Sequence, residues 1–324
     1  MKAILAHDFG GPEVLQYEEV DDPAAGPGEV VIDIKAAGIN PADTYMRGGA
    51  YAIKPPLPYT PGGDAAGVIS AVGANVSTFS VGDPVFVGTA MGFDMTGCYA
   101  QKVVRAAANV LPLPEGVSFA QASALGVPYA TAHYALFARG GATAGETVFV
   151  HGASGAVGTA AIQLAKRAGM TVIGSAGTAR GLDLVLEQGA AHAVDHTRDG
   201  YIEQVRELTG GAGPSLILEM LADVNLASDL DLVAKYGRII VIGNRGEITI
   251  NPRMAMMKEA DIRGVVLFNG TPAQMTAIMS DLVAGLKDGS LNPIVGTEMP
   301  LERAADGHIK VLEPGAFGKI VLVP

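Results

Sequence analysis

Residues 146–169, ETVFVHGASGAVGTAAIQLAKRAG, constrain this chain more than any other stretch. An apolar run passes into glycines, and an Ala-rich segment with helical spacing follows at once. A buried strand, a tight turn and a helix in that order are the first unit of a parallel sheet that binds a dinucleotide. The turn reads Ala153-Ser154-Gly155-Ala156-Val157-Gly158, with Ala153 in the first of the three places that glycine usually holds. Gly155 lets the backbone approach a pyrophosphate, and Gly158 lets the helix pack on its strand. The N–H groups at the helix start turn the positive end of the dipole toward the phosphates. The same letters also describe an ordinary structural turn; the strand before them and the helix after them favour the dinucleotide.

The surrounding pattern extends the sheet. Strands are expected at 147–151, 171–175, 193–195, 216–220, 238–242 and 261–267, with helices after most of them and the clearest helix at 159–168. A helical apolar repeat opens near Phe119. The first hundred residues read differently, as short strands at 2–6, 30–36, 67–72 and 84–88 set off by turns such as Gly26-Pro27-Gly28 and Val81-Gly82-Asp83. The segment KPPLPYTPGG at 54–63 fits neither regular helix nor central strand and is expected as an ordered loop. After a helix near 272–288, the last apolar run at 319–323 reads as a strand rejoining the first domain. The expectation is a domain of 1–122 completed by 268–324, with 123–267 inserted in it. A length of 324 residues suits two cores, because single cores stop growing at roughly 250 to 300 residues.

NAD-specific sites place an acidic residue after the second strand to accept the ribose 2′-OH. Here 175–180 reads Ser-Ala-Gly-Thr-Ala-Arg, which offers hydroxyls, Thr178 among them, and a guanidinium but no carboxylate. A 2′-phosphate would meet donors there, which points to NADPH. Arg180 equally fits a solvated helix start, and Arg245 is a second candidate with the same alternative. The formal charge, 22 − 33 = −11, weighs against nucleic acid as the main ligand. The single cysteine, Cys98, excludes an intramolecular disulfide, and MKAILAHDFGGPEV lacks a charged-then-apolar leader pattern, so a reducing, cytoplasmic setting is expected.

FGGPEVL at 9–15, Gly38-Ile39-Asn40-Pro41, PYTPGGDAAGV at 58–68, VHGASGAVG at 150–158, EMLADVNL at 219–226 and IGNRGEITINPR at 242–253 together carry a resemblance over essentially the whole chain. The sequence resembles the medium-chain dehydrogenase/reductase superfamily and, within it, the zinc-independent quinone oxidoreductases related to ζ-crystallin. The resemblance implies a GroES-like irregular β-barrel domain plus an inserted Rossmann domain, a doubly wound parallel sheet. It implies contacts to the nicotinamide from Asn40, Tyr45 and Thr131, and to the phosphates from Ser154, Gly155, Ala156 and Val157. Gly177 and His196 would flank the adenosine, and Asn225, Ile242, Gly243, Asn244, Arg245, Val265, Val266 and Leu267 would complete the groove. It also implies dimers or tetramers joined through edges of the nucleotide sheet. The zinc-dependent branch has Cys where this chain has Asn40, and a His-Glu pair where it has Gly63-Asp64. A zinc site needs thiolate, imidazole or carboxylate ligands, so metal chemistry is not expected.

Without a Lewis acid to hold an alkoxide, reduction of a conjugated acceptor such as a quinone fits better than alcohol oxidation. Asn40 and Tyr45 are the first candidates to donate hydrogen bonds to the developing oxyanion. Tyr45, Tyr51 and solvent remain as proton sources. Each residue also has a structural reading: Asn40 before Pro41 caps a turn, the tyrosines close the loop domain, and Asp64 caps a loop. Cys98 reads as a small buried hydrophobe with no obvious basic partner, and the run Met254-Ala255-Met256-Met257 as core or interface. Segment 87–97 is long for the family and would shape acceptor choice. Two other functions stay open: reduction of a 2-alkenal or enoyl thioester by the same hydride step, and a cofactor-bound RNA-binding or structural role of the ζ-crystallin kind.

Overall fold

The computed structural model describes residues 1–51, 53–88 and 97–324, so most of segment 87–97 lies outside the described residues. The chain runs through β1 (Lys2–Ala6), β2 (Leu15–Glu19), β3 (Glu29–Ile39), α1 (Pro41–Arg47), β4 (Asp64–Val72), β5 (Pro84–Val87), β6 (Lys102–Ala106) and β7 (Val110–Pro112), then α2 (Phe119–Ser123) and α3 (Gly126–His133). Strands and helices then alternate: β8 (Thr147–Val150), α4 (Ala156–Arg167), β9 (Thr171–Ala176), α5 (Ala179–Glu187), β10 (His192–Asp195), α6 (Tyr201–Leu208), β11 (Leu216–Glu219), α7 (Ala222–Leu232), β12 (Arg238–Val241), α8 (Pro252–Lys258) and β13 (Asp261–Gly264). After α9 (Pro272–Lys287) come β14 (Val295–Pro300), α10 (Ala304–Lys310) and β15 (Lys319–Val323). Two compact units result: Met1–Pro128 with Pro293–Glu313 and Gly318–Pro324, and Tyr129–Asn292 with Pro314–Phe317.

In the first unit β3 is the organising strand, pairing antiparallel with β4, β6 and β15. Its sequence EVVIDIKAAGI is apolar at most positions because both faces are covered. Register irregularities at Val31/Ile32 and Ile34/Ala36 bend it, as bulges do where a sheet curls. Ile32, Ile69, Val85 and Leu322 meet in the core behind it, and each aliphatic side chain so buried contributes about 1.5–3 kcal/mol. The last strand rejoins this unit as expected, with Ile320 opposite Ile39.

The second unit is a six-stranded, all-parallel sheet in the order β10-β9-β8-β11-β12-β13. Phe149, Ile173, Ile217 and Ile239 lie at its centre with Leu230 and Leu232 packed over them. Helix α4 begins at Ala156 and not at 159, because Gly155 at φ −77 and ψ 175 already serves as the N-cap. The strand expected at 261–267 stops at Gly264; the chain then enters a short 3-10 turn at Leu267–Asn269. The helical repeat opening near Phe119 is divided into α2 and α3. No described helix is long and apolar enough to cross a membrane.

Candidate active site

In the second unit the residues nominated for the cofactor fall at or beyond the carboxyl ends of the parallel strands. Ser154 to Gly158 follow β8, Gly177 to Arg180 follow β9, and His196 follows β10. Asn225 sits on α7 after β11, Ile242 to Arg245 follow β12, and Val265 to Leu267 follow β13. Strand order reverses between β8 and β11, so the loops part there, which is where such sheets take ligands.

Local geometry explains the glycines. A methyl on Gly155 would meet Gly152 O at 3.4 Å and Ala316 Cβ at 3.5 Å, ordinary contacts that would admit it without strain. A methyl on Gly158 would lie 2.5 Å from Ala153 Cα and 2.6 Å from Gly152 O, so only glycine lets α4 seat on this turn. The Ser154 hydroxyl donates to Ala316 O at 2.7 Å, which commits its hydrogen to the chain tail and leaves the backbone as the donor a phosphate would meet. Thr178 caps α5 by accepting from Gly181 N at 3.0 Å. The Arg180 guanidinium carbon lies 3.6 Å from the Phe317 ring centroid, so this exposed helix-start residue is also held in place. A methyl on Gly177 would come within 2.7 Å of His196 Nε2, which shows how closely those two pack. Burial holds the His196 pKa below its ordinary value. Arg245 N donates to Asp223 Oδ1, which fixes its backbone. Val265 and Leu267 are buried, whereas Val266 is exposed.

A second cluster lies at the same strand ends. His151 Nε2 is 2.7 Å from Asp229 Oδ1 and 3.3 Å from Glu219 Oε2, and all three side chains are buried. Glu219 Oε1 accepts from Leu221 N and from Asn225 Nδ2, so this carboxyl anchors the loop after β11. Burial pushes both carboxyls up and the imidazole down, which favours protons on the acids and a neutral ring.

In the first unit Asn40 caps α1 with a reciprocal pair: its own N–H donates to Asp43 Oδ2 at 2.8 Å, and its side chain accepts from the Asp43 N–H. Its side chain has other partners too. Nδ2 donates to Asp64 Oδ2 at 2.9 Å, and Oδ1 accepts from Lys319 Nζ at 2.5 Å. Asp64 Oδ1 accepts from Val127 N at the start of α3, so Asp64 caps as expected and also pairs with the lysine at 2.8 Å. Asp43 Oδ2 further accepts from Tyr99 Oη at 2.9 Å, His308 Nε2 lies 3.3 Å from that phenol oxygen, and Arg47 Nη1 is 3.2 Å from His308 Nδ1. Burial raises Asp43 to about 6, and burial followed by Arg47 lowers His308 to about 3. This neutral histidine thus accepts from Arg47 and donates to Tyr99. The Tyr45 and Tyr51 rings stack with centroids 6.5 Å apart. Burial, then Asp43 and Tyr45, raise the Tyr51 phenol, which keeps its proton.

Asn40, Tyr45 and Tyr51 therefore share one unit, while Thr131, nearly buried on α3, belongs to the other. Sequence reasoning missed Asp43, Tyr99, His308 and Lys319. The Asn40-x-x-Asp43 spacing was a legible capping signal; a lysine opening an apolar strand looks like any solvated strand end. Cys98 is buried as expected, with its thiol raised by burial, but Arg105 Nη2 does stand beside it at 3.0 Å.

A GroES-like β unit carrying an inserted Rossmann sheet defines the medium-chain class of oxidoreductases. Residues 26–115 match the family described as alcohol dehydrogenase GroES-like domain, and residues 156–285 that described as zinc-binding dehydrogenase. The chain is 44% identical to the quinone oxidoreductase of Homo sapiens over 325 positions, which cover all of this chain and 98% of that protein. Among solved structures, the quinone oxidoreductase of Escherichia coli complexed with NADPH has a TM-score of 0.86 at 29% identity, and an NAD-dependent alcohol dehydrogenase 0.92 at 32%; each pair is covered in full. The chain belongs to the quinone oxidoreductase family of the medium-chain dehydrogenases and reductases. The residues at the zinc positions do not fit that metal: Asn40 offers an amide, Gly63 has no side chain, and Asp64 is paired with an ammonium.

Proposed function

We propose that the chain is an NADPH-dependent reductase of quinones or similarly conjugated acceptors. The observation that carries the cofactor choice is the make-up of the chain after β9, where the Thr178 hydroxyl and a guanidinium stacked on Phe317 stand in place of a carboxylate. The N-terminus of α4, opened by Gly155 as its N-cap, suits a pyrophosphate. NADPH, when bound, supplies the hydride. The chain's own part is to orient the acceptor and hold its developing negative charge, with the Asn40 amide and the Tyr45 hydroxyl as donors and the Tyr51 phenol as a proton source. A quinone delocalises that charge, so no metal is called for.

The same reading places self-association at β13, the edge strand, which exposes Ile262; Val266 beyond it and Met256 and Met257 of α8 are exposed as well. Light scattering that returns a monomer mass at micromolar concentration overturns that part. A cytoplasmic setting goes with the single buried cysteine. Steady-state oxidation of NADPH and of NADH with a naphthoquinone, a 2-alkenal and an enoyl-CoA tests the whole proposal. Fastest turnover with NADPH and the quinone supports it; preference for the alkenal or thioester, or for NADH, refutes it.

A further inference from the structure

Two glycines in the first unit flank a buried cation and its partner. A methyl on Gly38 would lie 2.3 Å from Ser123 O and 2.6 Å from Lys319 Cε, and a methyl on Gly126 would lie 2.1 Å from Asp64 Oδ1. Between them the Lys319 side chain, 1% exposed, reaches inward from the first residue of β15. Its ammonium donates to Asn40 Oδ1 at 2.5 Å and to Asp64 Oδ2 at 2.8 Å. A buried ammonium survives only with close partners, and both partners here are at positions the zinc-dependent branch gives to metal ligands. The positive charge at this point thus comes from a side chain.

We propose that Lys319 is a positioning residue for acceptor reduction, its ammonium taking over the fixed charge that a metal would otherwise supply between positions 40 and 64. An amide can flip, exchanging acceptor for donor. Lys319 has donors only, so it admits the Asn40 oxygen and refuses the nitrogen; Asp64 has acceptors only, so it does the reverse. Nδ2 is thereby fixed in place, with one hydrogen on Asp64 and the second available to the acceptor oxygen. Asp64 is anchored in turn by the Val127 N–H. The clamp acts through Asn40, so Lys319 does not itself touch the substrate.

This rests on the reading of Asn40 as a donor to the acceptor, and that reading fails first if the unaltered protein oxidises no NADPH with a naphthoquinone. Given that activity, the test is the double variant Lys319→Met/Asp64→Asn, which removes both charges together. Circular dichroism and NADPH titration establish that it folds and binds. Its kcat falls about 100-fold, the low end of the loss seen when an oxyanion donor is removed, while the KM for NADPH stays within about twofold. A kcat equal to that of the unaltered protein overturns the proposal. Should the double variant fail to fold, Lys319→Ala decides: propylammonium, a cation of matching shape, restores turnover and neutral butane does not. Equal rescue by both, or by neither, overturns the proposal as well.

Discussion

Gly155 and Gly158 are both glycine, and the structure assigns them opposite jobs that one pair of substitutions separates. At Gly158 an added methyl meets backbone atoms at 2.5 and 2.6 Å, well inside contact distance. Overpacking of this kind costs about 1–3 kcal/mol, offset by about 1 kcal/mol of helix propensity because the residue lies within α4. Gly158→Ala therefore loses up to about 2 kcal/mol, read as a fall of up to several degrees in Tm. At Gly155 the methyl finds nothing closer than 3.4 Å and the backbone angles suit any residue. The fold then loses only the difference between glycine and alanine as N-cap, under about 1 kcal/mol. The methyl does occupy the space a pyrophosphate needs against the backbone, so NADPH affinity falls about tenfold or more, which equals about 1.4 kcal/mol. Thermal melts and fluorescence titration of both variants check this. A Gly155→Ala protein that binds NADPH as tightly as the unaltered one refutes the phosphate cradle.

Arg180→Glu raises the KM for NADPH far more than that for NADH, because a carboxylate then faces the 2′-phosphate; unchanged preference in this variant and in Arg245→Glu contradicts the NADPH assignment. Phe317→Ala frees the Arg180 guanidinium and raises the KM for NADPH severalfold without changing that for NADH. The buried acids give a pH prediction. Glu219 and Asp229 are raised by burial to about 7, so between about pH 4.5 and 7 the folded state holds more protons than the unfolded chain. The contribution of this pair is present at low pH and is lost as pH rises through that window. Asp229→Asn removes one such acid, so denaturant melts should show it gaining stability relative to the unaltered protein from pH 5 to pH 8. A difference that stays flat with pH contradicts the proton-holding cluster.

The second unit was legible because one short stretch sets its order: VFVHGASGAVG states strand, turn and helix in consecutive letters, and β-branched runs repeat the strand signal down the chain. The first unit was harder to read. Its strands β2, β6, β7 and β14 are short, and β6 owes its pairing to a strand distant in sequence, β3, with Val31 opposite Val104. The candidate site divides in the same way. Asn40 could be nominated from the family resemblance of the Gly38-Ile39-Asn40-Pro41 turn, whereas Lys319 joins it from 279 residues away, a closeness that exists only once β15 has docked beside β3. The His151, Glu219 and Asp229 cluster was hidden likewise, since adjacent parallel strands bring His151 and Glu219 together from opposite sides of α4, α5 and α6.

The proposed function depends on the turn after β8 holding a pyridine dinucleotide whose 2′-phosphate is recognised beyond β9. Fluorescence titration of the purified chain with NADPH and, in parallel, with NADH measures it directly. Saturable binding of one NADPH per chain, at least tenfold tighter than NADH, is expected; no saturable complex with either nucleotide, or tighter binding of NADH, refutes the cofactor assignment.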